Sequence, residues 1–230
     1  HTAPTSVLKQ EWLEEIKGMA GDINVFISDW SREQWKIQSD NQQVVHHAVD
    51  VELFKPGGYD RSPVVLTVAN DFKNRDYCLN YSGWERITNG IDTKVIGSSP
   101  DGFSEPASCI EELVKEYAST QVYLNTTTVS PIPTSLLEAM ACGCAVVTTA
   151  TCMIPDIVKH GENGMISNDE KELRSYIEQL LEDEDLRNKL GENARQTVIE
   201  QFSEESFISN WSRIFDEAYN IKNNNFYKKA

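Results

Sequence analysis

Apolar residues recur at helical spacing through Val7, Leu8, Trp12, Ile16 and Met19, which predicts a helix over residues 5–20. The short apolar run at 23–27 follows as a buried strand. Ser28 and Asp29 supply caps for a helix over 32–37, and 44–47 is strand-like. Lys55-Pro56-Gly57-Gly58 then clusters the chain breakers expected of a linker and closes this first section.

Beyond that point the pattern becomes regular. Strands are expected at 64–68, 93–97, 122–125, 145–149 and 164–167, with helices over 77–87, 107–117, 135–141 and 154–159 between them. Strands separated by helices of this length require a parallel sheet with right-handed crossovers. The expected fold class is therefore α/β, a Rossmann-like parallel sheet flanked by helices over residues 57–222. Helices over 169–182, 185–201 and 204–221 close the pattern, and residues 223–230 read as a frayed tail.

The candidate chemistry gathers in residues 131–147. This stretch is a loop, a short helix opened by polar residues with a carboxylate in its first turn, and a tight Gly turn into a buried strand. It aims a helix N-terminus and one acid, Glu138, at the carboxyl edge of a parallel sheet. Open α/β sheets bind phosphorylated ligands there, because unpaired N–H groups and the helix dipole favour negative charge. Ser135 and Glu138 also fit a capping box, so a purely structural reading of Glu138 stays open. No G-x-G-x-x-G follows the strand at 64–68, which argues against a nicotinamide or flavin dinucleotide site.

Charge and composition narrow the function classes further. The 230 residues carry a formal net charge of -15 and a pI near 4.7. That balance argues against nonspecific binding to nucleic acid or to anionic membrane, so an anionic ligand needs a local site. The apolar runs are too short to span a bilayer, no secretory leader is visible, and membrane contact is expected to be peripheral at most. Five scattered cysteines (78, 109, 142, 144 and 152) read as reduced thiols of a cytoplasmic protein, and Cys142 with Cys144 lacks the second pair that zinc requires. The start at His1 rather than Met reads as a processed or partial chain. Asp183-Glu184-Asp185 has the look of a D-x-D metal motif but lies between charged helices, so no metal site is expected. His46 and His47 alternate across a strand and read as packed or exposed.

Several blocks follow in order: L-E-A-M-A-x-G-x-x-V-V from Leu137 to Val147, Ile154-Pro155-Asp156-Ile157-Val158, His160-Gly161-Glu162-Asn163-Gly164 and Phe202-Ser203-Glu204-Glu205. Together they resemble the retaining glycosyltransferases of the GT-B fold, the glycogen-synthase-like group known as glycosyl transferases group 1. Upstream, Val49-Asp50-Val51-Glu52-Leu53-Phe54-Lys55-Pro56 looks like the junction between that family's two Rossmann-like domains. The resemblance implies that residues 1–56 are the end of an acceptor-side domain and that the domain over 57–222 binds a nucleotide-diphosphate sugar. In that family Glu138 corresponds to the acid that accepts from the ribose hydroxyls. Ser130 stands where a second glutamate, eight residues earlier, contacts the donor sugar. Asn70 and Arg75 fall at the two diphosphate-clamping positions, with Lys73 between them, and Asp156 replaces a usual Glu. N–H groups around Thr134, Ser135 and Leu136 would face the phosphates, and His1 matches an acceptor-side histidine near the sugar. No cofactor is implied beyond the donor itself. The acceptor, whether carbohydrate, lipid or protein, is not readable. Ser130 and Asn70 leave open a noncatalytic nucleotide-sugar-binding or scaffold module, and an epimerase or phosphorylase of the same fold is a third reading.

Overall fold

The structure, a computed structural model, describes residues 10–227. It forms two compact units, one gathering the chain up to Ala48 with the segment from Gln201 onward, the other spanning Val49–Glu200.

In the first unit, α1 (Gln10–Gly18), β1 (Asn24–Phe26), α2 (Asp29–Trp35) and β2 (Gln42–Val44) are joined by the long α10 (Glu204–Tyr227). β1 and β2 pair in parallel, Asn24 opposite Gln42. Ser28 caps α2 by accepting from the Ser31 amide, as its sequence position suggests. Lys36 turns into the left-handed region and ends α2 before Ile37. Asn41 donates to Glu217 at 2.7 Å and Arg213 to Gln43 at 3.2 Å, which ties α10 to this unit. The helix runs to Tyr227, into the segment expected to fray.

The second unit holds β3 (Ser62–Val68), α3 (Asp76–Leu79), α4 (Tyr81–Ile87), β4 (Thr93–Ile96), α5 (Ile110–Ala118), β5 (Thr120–Asn125), α6 (Thr134–Ala141), β6 (Ala145–Thr148), α7 (Ile154–Ile157), β7 (Met165–Ile166), α8 (Glu170–Glu182) and α9 (Glu184–Gln201). Its five strands are all parallel, in the order β4-β3-β5-β6-β7. Alternate residues Val65, Val122, Leu124, Ala145 and Val147 point into one core with Trp84, Leu173, Ile177 and Leu180. Tyr123, between two of them, reaches the opposite face and Ser135 of α6. Helices on both faces explain why β5 and β6 read as nearly unbroken apolar runs.

The expected single helix over 77–87 is broken at Asn80, whose φ of 55° ends α3 while its side chain caps α4 through the Gly83 amide. Residues 49–56 group with the sheet rather than with the first unit, and the last helix groups with the first unit rather than with the sheet. The physical reason for the first difference is Arg195, which donates to the carbonyls of Val51 and Phe54. Phe54 is itself buried, edge-on to Tyr117.

Arg195 also donates to the Ala141 carbonyl at 2.6 Å, and Arg61 to the Cys142 carbonyl at 2.8 Å. Two guanidinium groups thus satisfy the C-terminal carbonyls of α6 and complement its dipole. Gly143, at φ 72°, makes the turn into β6. The opposite end of α6 is fixed by this anchorage at the carboxyl edge of the sheet.

Gly97 holds the loops at that edge together. A Cβ placed on it would lie 2.0 Å from the Ala69 carbonyl oxygen, at a φ of 150° that side chains rarely adopt. Gly97→Ala is therefore expected to lower stability by about 1–3 kcal/mol, the usual cost of a forced clash. A reduced urea midpoint at unchanged slope would report it, and an unaltered midpoint would show that the β3 and β4 loops yield freely.

Candidate functional site

Numbered from β3, the strand order is 2-1-3-4-5, so the winding reverses between β3 and β5. In such sheets a crevice opens outside the carboxyl ends of the two strands at the reversal. The loops that follow β3 and β5 carry Asn70, Lys73, Arg75 and Ser130, and the second of them leads into α6.

These loops are hydrogen-bonded to one another. The Thr128 amide donates to the Cys78 carbonyl at 2.8 Å, and the Thr126 hydroxyl to the Leu79 carbonyl at 2.8 Å. Cys78 and Leu79 belong to α3, whose N-terminal flank is Arg75. The structure thus brings the cation-bearing loop and the Ser130 loop together. On the far side of the Ser130 loop, the Thr149 and Thr151 hydroxyls both donate to the Thr127 carbonyl. The Cys152 thiol approaches the Thr128 carbonyl at 3.7 Å.

Asn70 and the two cations take different roles. The Asn70 side-chain oxygen accepts from the Ser98 amide at 2.8 Å, which stitches the β3 loop to the β4 loop. Arg75 is exposed, rests one nitrogen 3.5 Å from the Asn70 carbonyl, and among the described residues has no carboxylate at ion-pair distance. Lys73 is engaged elsewhere. Its ammonium stands 3.5 Å from an Asp101 oxygen and 4.2 Å from the centre of the Phe103 ring. The Ser99 hydroxyl, the Phe103 amide and Lys73 together hold the Asp101 carboxyl below the usual carboxylate range.

α6 begins at Thr134 behind Pro133, without a side-chain cap and without an acid in its first turn. The capping box suggested by Ser135 and Glu138 does not form, because Ser135 is already helical and accepts from the Tyr123 hydroxyl at 2.9 Å. Leu136 is fully buried and its amide turns back to the Pro133 carbonyl at 3.2 Å. The amides of Thr134 and Ser135 remain at the positive end of the helix dipole, a ready place for an anion.

Glu138 instead accepts from the fully buried Tyr117 hydroxyl, 2.8 Å from Oε2. Its Oε1 carries no hydrogen bond among the described residues, and the side chain is half-buried. One oxygen is held and the other is not. Burial raises the Glu138 carboxyl above its ordinary pKa, against the pull of the Tyr117 hydrogen bond. Tyr117 and Tyr123 are hydrogen-bond partners of α6 that the sequence did not single out. They end a helix and lie inside a buried strand, so their only sequence signal is a hydroxyl in an otherwise apolar setting, which needs a partner.

His1 lies outside the described residues. His46 is packed, with Nδ1 2.9 Å from the Ile27 carbonyl and its ring against Phe202, while burial lowers the His47 pKa. Asp183 caps α9 through the Leu186 amide, and no metal-binding cluster occurs among the described residues. Nor is any described helix long and apolar enough to cross a membrane.

Residues 107–197, which include α6 and Glu138, match the family model described as Glycosyl transferases group 1. A curated relative, N-acetyl-alpha-D-glucosaminyl L-malate synthase of Bacillus anthracis, is 39% identical over 82 residues, 35% of this chain and 22% of its own length. Among solved structures, sucrose-phosphate synthase from Thermosynechococcus elongatus is similar with a TM-score of 0.78 at 16% identity, over 94% of this chain and 63% of that one. HepE of Anabaena, solved in complex with UDP, gives a TM-score of 0.76 at 15% identity, over 96% of this chain and 71% of that one. These likenesses show the fold, an α/β architecture shared with GT-B glycosyltransferases. The curated relatives are named as glycosyltransferases and synthases, and the matches cover from 22% to 65% of their lengths.

Because Glu138 is raised by burial, the native state keeps a proton that the unfolded chain releases as pH climbs past the ordinary carboxylate range. In that window its contribution to stability falls with rising pH. Glu138→Gln removes this contribution while an amide oxygen can still accept from Tyr117. The stability of the variant relative to the parent is thus expected to improve as pH rises above the ordinary carboxylate range, about pH 4. Urea unfolding of both proteins across that range checks the sign, and a difference independent of pH would contradict the burial of the charge.

Proposed function

We propose that the Val49–Glu200 unit binds a nucleotide-diphosphate sugar and belongs to a glycosyltransferase that moves the sugar to an acceptor hydroxyl with retention of configuration. The reading is supported by the uncapped N-terminus of α6 in the connection after β5, the exposed Arg75 in the loop after β3, and a Glu138 carboxylate with one oxygen that no described residue bonds. The diphosphate lies at the Thr134 and Ser135 amides, with Arg75 offering a planar fork to two phosphate oxygens. Glu138 accepts from the ribose hydroxyls. HepE was solved with UDP, so uracil is the first base to test.

In the reaction, the bond from the anomeric carbon to the diphosphate oxygen breaks as the acceptor oxygen bonds that carbon on the same face. The acceptor proton passes to the departing diphosphate. Negative charge grows on that leaving group, so pre-aimed donors lower the barrier. The acceptor is a carbohydrate, lipid or protein hydroxyl, and the protein works in the cytoplasm on a donor made there. No metal or further cofactor enters this scheme.

A second reading has its own support. Lys73 is committed to Asp101, and Ser130 offers a short hydroxyl in place of a carboxylate, which weakens the grip on the sugar. A noncatalytic module of the same fold would hold the nucleotide and leave the sugar loose.

Thermal unfolding with UDP, GDP and ADP separates these readings from an unrelated function. One of the three at a hundred times its dissociation constant is expected to stabilise the fold by about 2.7 kcal/mol. Arg75→Ala should weaken that nucleotide by about 1.5–3 kcal/mol, the range for hydrogen bonds to charged groups, without lowering stability comparably. No shift with any nucleotide or nucleotide sugar would overturn the proposal. Sugar transfer to an added acceptor, assayed with the matching donor, then distinguishes the enzyme from the module.

A further inference from the structure

The Glu138 carboxylate hangs on three rotatable bonds, yet it is fixed before any ligand arrives. Tyr117, the residue that fixes it, is itself held at three points. Its ring packs edge-on to Phe54 at 6.2 Å and tilted against Tyr123 at 5.9 Å, and its carbonyl accepts from the Cys144 thiol at 3.1 Å. The hydroxyl is the ring's one polar atom, and its 2.8 Å bond takes up Oε2 alone. Oε1 makes no hydrogen bond to any described residue, and the side chain is half-buried.

We infer that Tyr117 is a positioning residue for nucleotide recognition, which clamps one oxygen of Glu138 so that the other is presented to a vicinal diol. The inference rests on the ribose-binding reading of Glu138. A side chain ordered in advance loses no rotamer freedom on binding, so the clamp is worth affinity without touching the ligand. It also sets the charge. The Tyr117 bond favours the ionised carboxylate, which burial opposes. Tyr123 from β5 and Cys142 from the end of α6 face the same carboxylate, and burial keeps both neutral.

The test is a cycle of protein and ligand changes on the chain as it stands, with UDP and 2′,3′-dideoxy-UDP as probes and affinity read by calorimetry. The parent should prefer UDP over the dideoxy compound. Tyr117→Phe removes only the hydroxyl, and its UDP affinity is expected to fall about tenfold, equivalent to 1.4 kcal/mol. Its affinity for dideoxy-UDP should stay at the parent level. The acid-side loss of UDP affinity should also begin at higher pH in Tyr117→Phe, because the carboxylate protonates more readily without its donor. If Tyr117→Phe does not fold, Glu138→Asp gives the same test with the tyrosine pocket intact. Its shortened side chain reaches the hydroxyl or the ribose but not both, so UDP alone should bind more weakly.

A parent that binds UDP and dideoxy-UDP equally removes the ribose reading itself. A parent that prefers UDP, with Tyr117→Phe or Glu138→Asp keeping that preference in full, removes only the clamp. Equal losses for both probes would mean general damage to the fold and would also overturn the inference.

Discussion

The reversal of winding at β3 is the constraint from which the site follows. A parallel sheet whose crossovers all ran one way would cover its carboxyl edge evenly. Here the chain leaves β3 toward β4 on one side and returns to β5 on the other, so the two loops diverge and then meet above the strand ends. Their contact is specific: α3 carbonyls accept from Thr126 and Thr128. Asn70 ties the same place to the β4 loop through the Ser98 amide. The polar groups of this edge are therefore satisfied in a way that also fixes the spacing of its side chains.

α6 is the element that turns this geometry into chemistry. Its C-terminal carbonyls are covered by Arg61 and Arg195, while its N-terminus follows a proline and carries no cap. The helix is thus neutralised at one end and left positive at the other. Between the ends, the Tyr123–Ser135 and Tyr117–Glu138 bonds lock it to β5 and α5. The same buried tyrosines that settle the helix on the sheet also set the direction of its acid.

Much of the Val49–Glu200 fold was legible because a parallel sheet leaves strong local signals. Apolar runs such as Ala145–Thr148, short, β-branched and flanked by a Gly turn, read as buried strand, and the Gly143 turn before them marks where α6 ends. What periodicity could not show was the break at Asn80. An asparagine inside an apolar pattern reads as helix, and only the left-handed backbone there reveals two helices meeting. The helix-to-turn-to-strand pattern over 131–147 was legible, but the contacts made within it were not. Ser135 and Glu138 fit a capping box by spacing, and the long-range partners Tyr117 and Tyr123 decide against it. Lys73 and Arg75 look alike in sequence. Asp101, nearly thirty positions on, captures the lysine and leaves the arginine open. Pairings of this kind lie in tertiary contact rather than in any local pattern.

The central claim is that the crevice at the β3–β5 reversal takes a nucleoside diphosphate at the N-terminus of α6. Amide NMR during titration with UDP tests it residue by residue. The account predicts that the largest shifts fall on the Thr134 and Ser135 amides and on the loop from Ala69 to Arg75, with the acidic turn at Asp183–Asp185 unmoved. Shifts centred away from these loops, or no shift at saturating UDP, GDP and ADP, would contradict it.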